Sequence, residues 1–371
     1  MFSFADIDNY GDILFSHVFK KEMEARIPNV EIDFFTPSEI TIEGYFYKSY
    51  HRDKVDKKYD ALILAGGEVV HLFDERTWRP IYVKNGQKVS SKNASDTVWD
   101  WVNCDSRFKA WVSVGVRPFG DKWDKEKIND TIDKLDYLSV RGIISKKILE
   151  ESDYNIFNPK IKLTPDLGWI FPEYLSYRNE YGMHYKKWIS DGTPYAIFQV
   201  HNINEEEAET IGRSLAKFKK QKKIRILLMP VIHLWEDEKF LEMVMTAGDN
   251  QLELLPNNLS TLEMADLIVH SEIVLCSSLH VAITALAKGI PAGIFNKWQG
   301  TKLQDLYGLQ FRTEYLFSDY QDTYNILSKL MLEKDNSKSL NLYAEFMKAK
   351  LSETFDDISN RIKESSNQKI V

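Results

Sequence analysis

The chain has 371 residues, more than one hydrophobic core usually fills, so we predict two domains. Its 55 acidic residues outnumber its 48 basic residues and give a net charge of −7 at pH 7, which argues against a dedicated nucleic-acid-binding protein. The two cysteines, Cys104 and Cys276, are far apart in the sequence, which fits a reducing compartment and argues against a disulfide framework.

The sequence carries no signal-peptide pattern, and its longest apolar runs are far shorter than the ~20 residues that span a membrane. We therefore expect a cytoplasmic protein. The sequence also lacks H-E-x-x-H and paired C-x-x-C motifs, so we predict no metal site and no bound cofactor.

In the first half, short apolar runs alternate with segments of helical period, which predicts an α/β domain with parallel strands. Asp12–Ile27 has its apolar residues at helical spacing, whereas Tyr45–Lys58 has no clear period and Trp78–Ser95 is typical of a loop. The predicted strands are Phe2–Ala5, Val30–Phe35, Tyr59–Ala65, Trp111–Gly115, Tyr137–Val140 and Ile161–Thr164.

A second α/β series begins near Pro194, with predicted strands in "YAIFQV", "IRILLMP", "EIVLCS" and "PAGIF". Asn204 is typical of the residue that caps a helix, and Ser260 with Glu263 forms a capping-box pattern at the start of another helix. The apolar spacing across Leu340–Ile362 predicts a closing helix.

Residues Phe171–Pro194 mix aromatic residues with turn formers and show no strand pattern, so the domain boundary is placed there. We predict an N-terminal domain over 1–170, a linker over 171–193 and a C-terminal domain over 194–371 that includes the closing helix. The predicted architecture is two doubly wound α/β domains facing a cleft. In such sheets ligands bind beyond the carboxyl ends of the strands, so the residues that follow strands are the candidates for function.

Two glycine-containing stretches follow predicted strands in the first domain. In "DNYGD", Gly11 can bend the backbone and Asp12 starts a helix, and taken alone this pattern indicates a turn with a capping carboxylate. In "LAGGEVVH", Gly66 and Gly67 allow a ligand to approach the backbone. Two adjacent glycines are a weak signal, and the third glycine of a dinucleotide-binding motif is missing.

Two arginines also follow predicted strands, Arg117 in "VSVGVRPFG" and Arg141 in "YLSVRGIIS". A guanidinium in that position can bind a phosphate or a carboxylate through two hydrogen bonds. For either arginine alone, a surface position or a salt bridge is the better interpretation.

The stretch "LCSSLHVAITALAKGIP" places Ser277 and Ser278 at the start of a predicted helix and His280 in its first turn. The helix-start amides attract an anion and disfavour an imidazolium, so a neutral His280 can donate or accept a proton near pH 7. The alternative is a histidine bonded to a backbone carbonyl. The convergence of several strand-end signals favours a functional site.

A basic cluster lies at 217–225, in "KFKKQKKIR". A solvated helix end explains it most simply, and contact with anionic lipid headgroups at the inner face of a membrane is the alternative.

The order and spacing of "NYGD", "LILAGG", "VSVG", "SVRGIIS", "TPDLGW" and "SSLHVAITALAKGIP" resemble the polysaccharide pyruvyl transferase family, from about residue 8 to about residue 310. This resemblance implies two Rossmann-like domains of the glycosyltransferase B type, the first on the acceptor side and the second on the donor side. It also implies transfer of pyruvate from phosphoenolpyruvate to a sugar of a cell-surface glycan or its lipid-linked precursor, with formation of a ketal.

The resemblance also implies roles for particular residues. His280 would act as the acid or hold the donor's anionic groups, and Asp12 is a weaker candidate for activating the acceptor hydroxyl. A helix start lowers the pKa of a histidine, which suits hydrogen-bond donation better than acid strength. The predicted donor-binding residues are Arg117, Arg141, Ser277, Ser278 and Lys297, and the predicted acceptor-binding residues are Asn9, Gly66, Gly67 and Glu68; of these, the resemblance itself points to Arg141, Gly66 and Gly67.

The chain departs from the family pattern at Ser278, where part of the family has arginine. The register of the family's lysine after the next strand leaves both Lys297 and Lys302 open. Two other functions therefore stay open: a glycosyltransferase of the same plan that uses a sugar nucleotide, and an inactive relative that acts as a binding partner in glycan assembly.

Overall fold

A computed structural model describes residues 1–50, 58–70, 80–82, 88–90, 99, 101–117, 125–152, 160–232, 236–297, 299–309, 312–334 and 337–367. Most of the predicted loop Trp78–Ser95 lies outside these residues. The contacts within the chain define two compact units. Unit 1 comprises Met1–Asp8, Asp12–Leu167 and Ala349–Val371, and unit 2 comprises Asn9–Gly11 and Gly168–Lys348.

The strands of unit 1 form a parallel sheet in the order β4-β7-β8-β9 and a three-stranded sheet in the order β1-β3-β2, with β5 and β6 paired separately. Phe2 forms parallel bridges to both Phe35 and Leu64, so the N-terminal residues lie between β1 and β4. The strands are β1 Phe34–Thr36, β2 Ile40–Ile42, β3 Tyr45–Ser49, β4 Tyr59–Ala65, β5 Pro80–Tyr82, β6 Lys88–Ser90, β7 Ser106–Val114, β8 Tyr137–Val140 and β9 Ile161–Leu163.

In the described part of the first half, these strands are accompanied by the helices α1 Tyr10–Glu24, α2 Lys125–Lys134 and α3 Ile143–Ser152. The core of unit 1 is built on the apolar side chains of its strands, among them the fully buried Leu64, Trp111 and Leu138. The predicted strands Tyr59–Ala65 and Tyr137–Val140 are confirmed at both ends.

The predicted strand Phe2–Ala5 is wrong beyond its first residue. Phe2 pairs on both sides, but Ala5–Ile7 forms a 3-10 helix that ends at Asp8 in the left-handed region, at φ 50°. The chain turns here because the Asp6 carboxylate accepts a hydrogen bond from the Ser38 amide at 2.9 Å and is buried against it.

Unit 2 contains a six-stranded parallel sheet in the order β12-β11-β10-β13-β14-β15. The chain first adds strands on one side of β10 and then returns to add β13 on its other side. The sheet therefore has a topological switch point between β10 and β13. The strands are β10 Tyr195–Phe198, β11 Arg225–Leu228, β12 Glu253–Leu254, β13 Ile273–Cys276, β14 Ala292–Phe295 and β15 Leu316–Phe317.

The helices from residue 171 onward lie before, between and after these strands. Asn204 and Ser260 each close a capping box with the glutamate three residues later, as predicted. The helices are α4 Phe171–Tyr177, α5 Met183–Trp188, α6 Glu205–Lys222, α7 Asp237–Ala247, α8 Thr261–Val269, α9 Leu279–Leu286, α10 Thr301–Leu309, α11 Thr323–Lys334 and α12 Lys338–Asn367.

The predicted fold class, α/β with two Rossmann-like domains, is confirmed. The end of the chain is assigned differently from the predicted bounds, because residues 349–371 group with unit 1, where Phe355 packs 6.3 Å from Phe19 between ring centroids. The predicted linker holds α4 and α5. Within the described ranges, no helix has the length and apolar character needed to cross a membrane.

The buried Asp6 should make the stability of the protein depend on pH. Burial raises the pKa of this carboxyl from 3.8 to about 7, so the stability that its neutral form allows is present below about pH 4 and is lost as the pH rises to about 7. We expect Asp6→Asn to flatten the fall in unfolding free energy across this range, by up to about 4 kcal/mol. Urea unfolding between pH 4 and pH 8 measures this change, and the control is Asp130→Asn, at an exposed position of α2. Parallel pH profiles for wild type and Asp6→Asn would refute the expectation.

Candidate functional site

Polar side chains follow both strands that flank the switch point of unit 2. Gln199 and His201 come after β10, and Ser277 comes directly after β13. The backbones are joined there, since the Gln199 amide donates to the Leu275 carbonyl at 3.0 Å and the Ser277 amide donates to the Gln199 carbonyl at 3.1 Å. Backbone hydrogen bonds therefore join the carboxyl ends of β10 and β13 before any side chain contributes.

The side chains at this edge form one continuous hydrogen-bonded chain. His201 Nδ1 lies 2.9 Å from Ser277 Oγ, and Ser277 donates from both its amide and its hydroxyl to Gln199 Oε1, at 3.0 and 3.1 Å. Gln199, which is fully buried, donates from Nε2 to Asp237 Oδ2 at 2.9 Å. We call these four residues the switch-point network.

Asp237 and His201, at the two ends of the network, have pKa values shifted in opposite directions. Burial raises the pKa of Asp237 to about 7, although hydrogen bonds from Gln199 and Val231 act in the other direction. Burial, and then the positive charge of Lys302, lower the pKa of His201 to about 4. His201 is therefore a neutral imidazole at pH 7, and burial favours the neutral form of Asp237.

Helix α9 begins at Ser278, as predicted, but its start differs from those of α6 and α8. Ser278 is the N-cap residue, yet its side chain accepts no hydrogen bond from the first-turn amides, whereas Asn204 and Ser260 do so on their helices. Amides of an uncapped helix start are available to an anion. His280 lies in this first turn and is only 8% exposed.

Residues Asn9–Gly11 pack onto α9 and belong to unit 2. Tyr10 Oη lies 2.7 Å from Thr284 Oγ1, and Thr284 donates to the His280 carbonyl. A Cβ atom added to Gly11 would lie 1.8 Å from His280 Nδ1. The glycine of the "NYGD" motif is thus required because the imidazole of His280 occupies the space that any side chain would need.

Lys297 and Lys302, the two candidates for the family's lysine, have different surroundings in the structure. Lys297 forms an ion pair of 2.6 Å with Glu207 in the first turn of α6. Lys302, in the first turn of α10, is close enough to His201 to lower its pKa. Lys302 therefore supplies positive charge to the switch-point network, while the predicted donor-binding role of Lys297 stays a prediction.

In unit 1, the predicted residues after β4 and β7 contact one another. Gly66 and Gly67 both have positive φ, at 69° and 76°. A Cβ on Gly67 would lie 3.4 Å from an Asp12 carboxylate oxygen. Arg117 forms an ion pair with Glu68 at 2.7 Å, so a predicted donor ligand neutralises a predicted acceptor ligand.

Arg141 follows β8, is 9% exposed and pairs with Asp166 at 2.8 Å. A Cβ on Gly115 would lie 2.8 Å from its Nη2, so the guanidinium lies against the glycine after β7. The salt bridge that was the alternative interpretation for this arginine is present. Asp166 lies in the "TPDLGW" motif, but its residue type alone does not predict this pairing, because a carboxylate after a short strand is common.

The predicted site residues thus form two groups. His280, Ser277, Ser278, Lys297 and Asn9 belong to unit 2, and Asp12, Arg117, Arg141, Gly66, Gly67 and Glu68 belong to unit 1. Sequence reasoning missed Gln199, His201 and Asp237, although "YAIFQVH" carries a glutamine and a histidine after a predicted strand. Within the described part of the chain, no three His, Cys, Asp or Glu side chains cluster as metal ligands.

Two parallel α/β sheets with polar residues at the carboxyl ends of their strands define a two-domain Rossmann-like protein. Solved structures of similar fold include UDP-GlcNAc 2-epimerase from Methanocaldococcus jannaschii in complex with UDP-GlcNAc and UDP, at a TM-score of 0.54 and 13% identity over 92% of this chain and 98% of that chain. S. aureus MnaA in complex with UDP gives a TM-score of 0.56 and 12% identity over 88% of this chain and 87% of that chain. At such identity the likeness establishes the fold alone.

The sequence itself identifies the family. The profile of the polysaccharide pyruvyl transferase family matches residues 9–296, from the "NYGD" motif to the end of β14. The chain therefore belongs to the polysaccharide pyruvyl transferase family. No curated protein sequence is significantly similar to it.

The contact between Gly11 and His280 gives a testable consequence. We expect Gly11→Ala to displace the His280 ring and lower the unfolding free energy by about 1–3 kcal/mol, as overpacking of a filled site usually does. Denaturant unfolding and the NMR signals of the His280 imidazole measure the two effects. Gly300→Ala is the matched control, since a Cβ there meets only Asn296 Oδ1 at 3.6 Å. An equal loss of unfolding free energy in Gly11→Ala and Gly300→Ala would show that the contact with His280 does not destabilise the Gly11 variant.

Proposed function

We propose that the protein transfers pyruvate from phosphoenolpyruvate to two hydroxyls of a glycan sugar and forms a ketal, with the donor anion bound at the switch point of unit 2. The family supports a transferase that acts on polysaccharide. The observation that carries the placement of the donor is the uncapped start of α9, which bears His280 beside the switch-point network.

The proposed reaction balances without a redox partner. A proton adds to the methylene carbon of the donor, and the first sugar hydroxyl bonds to the neighbouring carbon and loses its proton. The bond from that carbon to the phosphate oxygen breaks and inorganic phosphate leaves. The second hydroxyl then bonds to the same carbon and loses its proton, which closes the ketal.

Each feature of the unit 2 site suits one demand of this reaction. The donor carries several negative charges, and the first turn of α9, which has no side-chain cap, offers fixed positive charge together with Lys302. His280 is the proposed acid for the methylene carbon or a hydrogen-bond donor to the anionic groups. The His280 ring packs against Gly11, and the His280 carbonyl accepts a hydrogen bond from Thr284, which is bonded in turn to Tyr10.

A sugar nucleotide is the second candidate donor. Two of the structures with similar fold contain UDP, and a nucleotide diphosphate would suit the same amides at a helix start. This candidate predicts a glycosyl transfer in place of a ketal.

Ligand-dependent thermal unfolding separates the two donors. We expect phosphoenolpyruvate at about 100 times its Kd to stabilise the protein by about 2.7 kcal/mol and raise Tm by several degrees. UDP-sugars and other sugar nucleotides at equal concentration should leave Tm unchanged. Stabilisation by a sugar nucleotide alone would favour the second candidate, and no stabilisation by either class would favour a non-catalytic binding role.

Removal of the His280 imidazole should abolish most of the activity while the fold is retained. We expect His280→Ala to lower kcat for ketal formation by about 10²–10⁴-fold, the usual contribution of a positioned acid. Product formation by mass spectrometry and the circular dichroism of the variant measure the two effects. His184→Ala, on α5, is the control, and full activity of His280→Ala would rule out the proposed role.

A further inference from the structure

We infer that His201 is a further catalytic residue and that its unprotonated Nε2 accepts the proton of the sugar hydroxyl that attacks the donor. This assignment rests on the proposed function, because it names the base for that reaction. It is independent of the family motifs, since His201 lies in none of the motifs that carry the resemblance.

The hydrogen-bond polarity of the switch-point network fixes which nitrogen of His201 carries the proton. The Ser277 amide can only donate, so the Gln199 side-chain atom 3.0 Å from it must be the carbonyl oxygen Oε1. That oxygen can only accept, so the Ser277 hydroxyl, 3.1 Å away, donates to it. Ser277 has a single hydroxyl proton, and its Oγ must therefore accept the bond from His201 Nδ1, at 2.9 Å. Neutral His201 is the Nδ1–H tautomer, and its Nε2 has a free lone pair.

The far end of the network keeps this polarity in place. If Gln199 turned its amide over, Nε2 would face the Ser277 amide, which would place two donors together and break the present bond from Nε2 to Asp237. Gln199 is fully buried, so water cannot compensate for the lost bonds. Within the described residues, Nε2 of His201 has no hydrogen-bond partner, and the side chain is only partly buried.

The charges around His201 suit a base that works only with the donor bound. Burial and Lys302 keep the ring neutral in the free protein, with a pKa of about 4. A phosphate-bearing donor beside Lys302 would oppose that positive charge and raise the affinity of Nε2 for a proton. In the reaction, the O–H bond of the sugar breaks as its oxygen bonds to the donor carbon, and the proton moves to Nε2. The imidazolium then returns this proton to the departing phosphate.

The tautomer is tested by ¹⁵N NMR of the full chain, with the His201 signals assigned from their loss in His201→Gln. We expect a protonated Nδ1 and an unprotonated Nε2 at pH 7. Ser277→Ala should remove this preference, because Nδ1 loses its acceptor, and Ser277→Thr should restore it. Inorganic phosphate should raise the His201 titration midpoint by about one pH unit or more. A protonated Nε2 in the wild type, or a midpoint that phosphate leaves unchanged, would overturn the inference.

The rate is tested with phosphoenolpyruvate and a sugar acceptor. We expect His201→Gln to lower kcat by about 10²–10⁴-fold with little change in the donor KM, and to remove the fall in kcat at acidic pH. His184→Gln is the control. Full kcat in His201→Gln overturns the base assignment. A wild type that forms no ketal overturns the proposed function, while the ¹⁵N measurement still decides the state of His201.

Discussion

A backbone amide can only donate a hydrogen bond, and at Ser277 this restriction sets the direction of every bond in the switch-point network. Because the Ser277 amide faces Gln199 Oε1, the amide of Gln199 has one allowed orientation, and the hydroxyl of Ser277 and the ring of His201 follow from it. Backbone pairing between the ends of β10 and β13 holds the two partners at this distance. The proposed chemistry of unit 2 depends on this fixed polarity, since it is what leaves a lone pair on His201 Nε2.

Much of the fold could be predicted from the sequence because its elements have local signals. The strands Tyr59–Ala65 and Tyr137–Val140 are short, mostly apolar segments, and Asn204 and Ser260 are caps whose partners lie three residues away. The N-terminal strand was overextended because the turn at Ala5–Ile7 depends on a bond between Asp6 and Ser38, which are far apart in sequence. The grouping of residues 349–371 with unit 1 is likewise a tertiary effect, set by contacts such as Phe355 with Phe19.

The site was only partly predictable. The sequence marks His280 and its helix start, and it marks Gly11 without the reason for that glycine, which is the His280 ring beside it. Gln199, His201 and Asp237 were missed because they are joined only by the parallel pairing of β10 with β13 and by the buried start of α7. The ion pair of Lys297 with Glu207 and the effect of Lys302 on His201 likewise depend on tertiary structure, and neither can be read from spacing in the sequence.

The central claim is that the donor anion binds at the start of α9, within reach of the switch-point network. A crystal structure of the full chain soaked with phosphoenolpyruvate tests it most directly. We expect a phosphate or carboxylate about 3 Å from first-turn amides of α9, with His280 and His201 on the same bound molecule. A donor bound beside Gly66 and Gly67 in unit 1, and not at the start of α9, would rule out this placement.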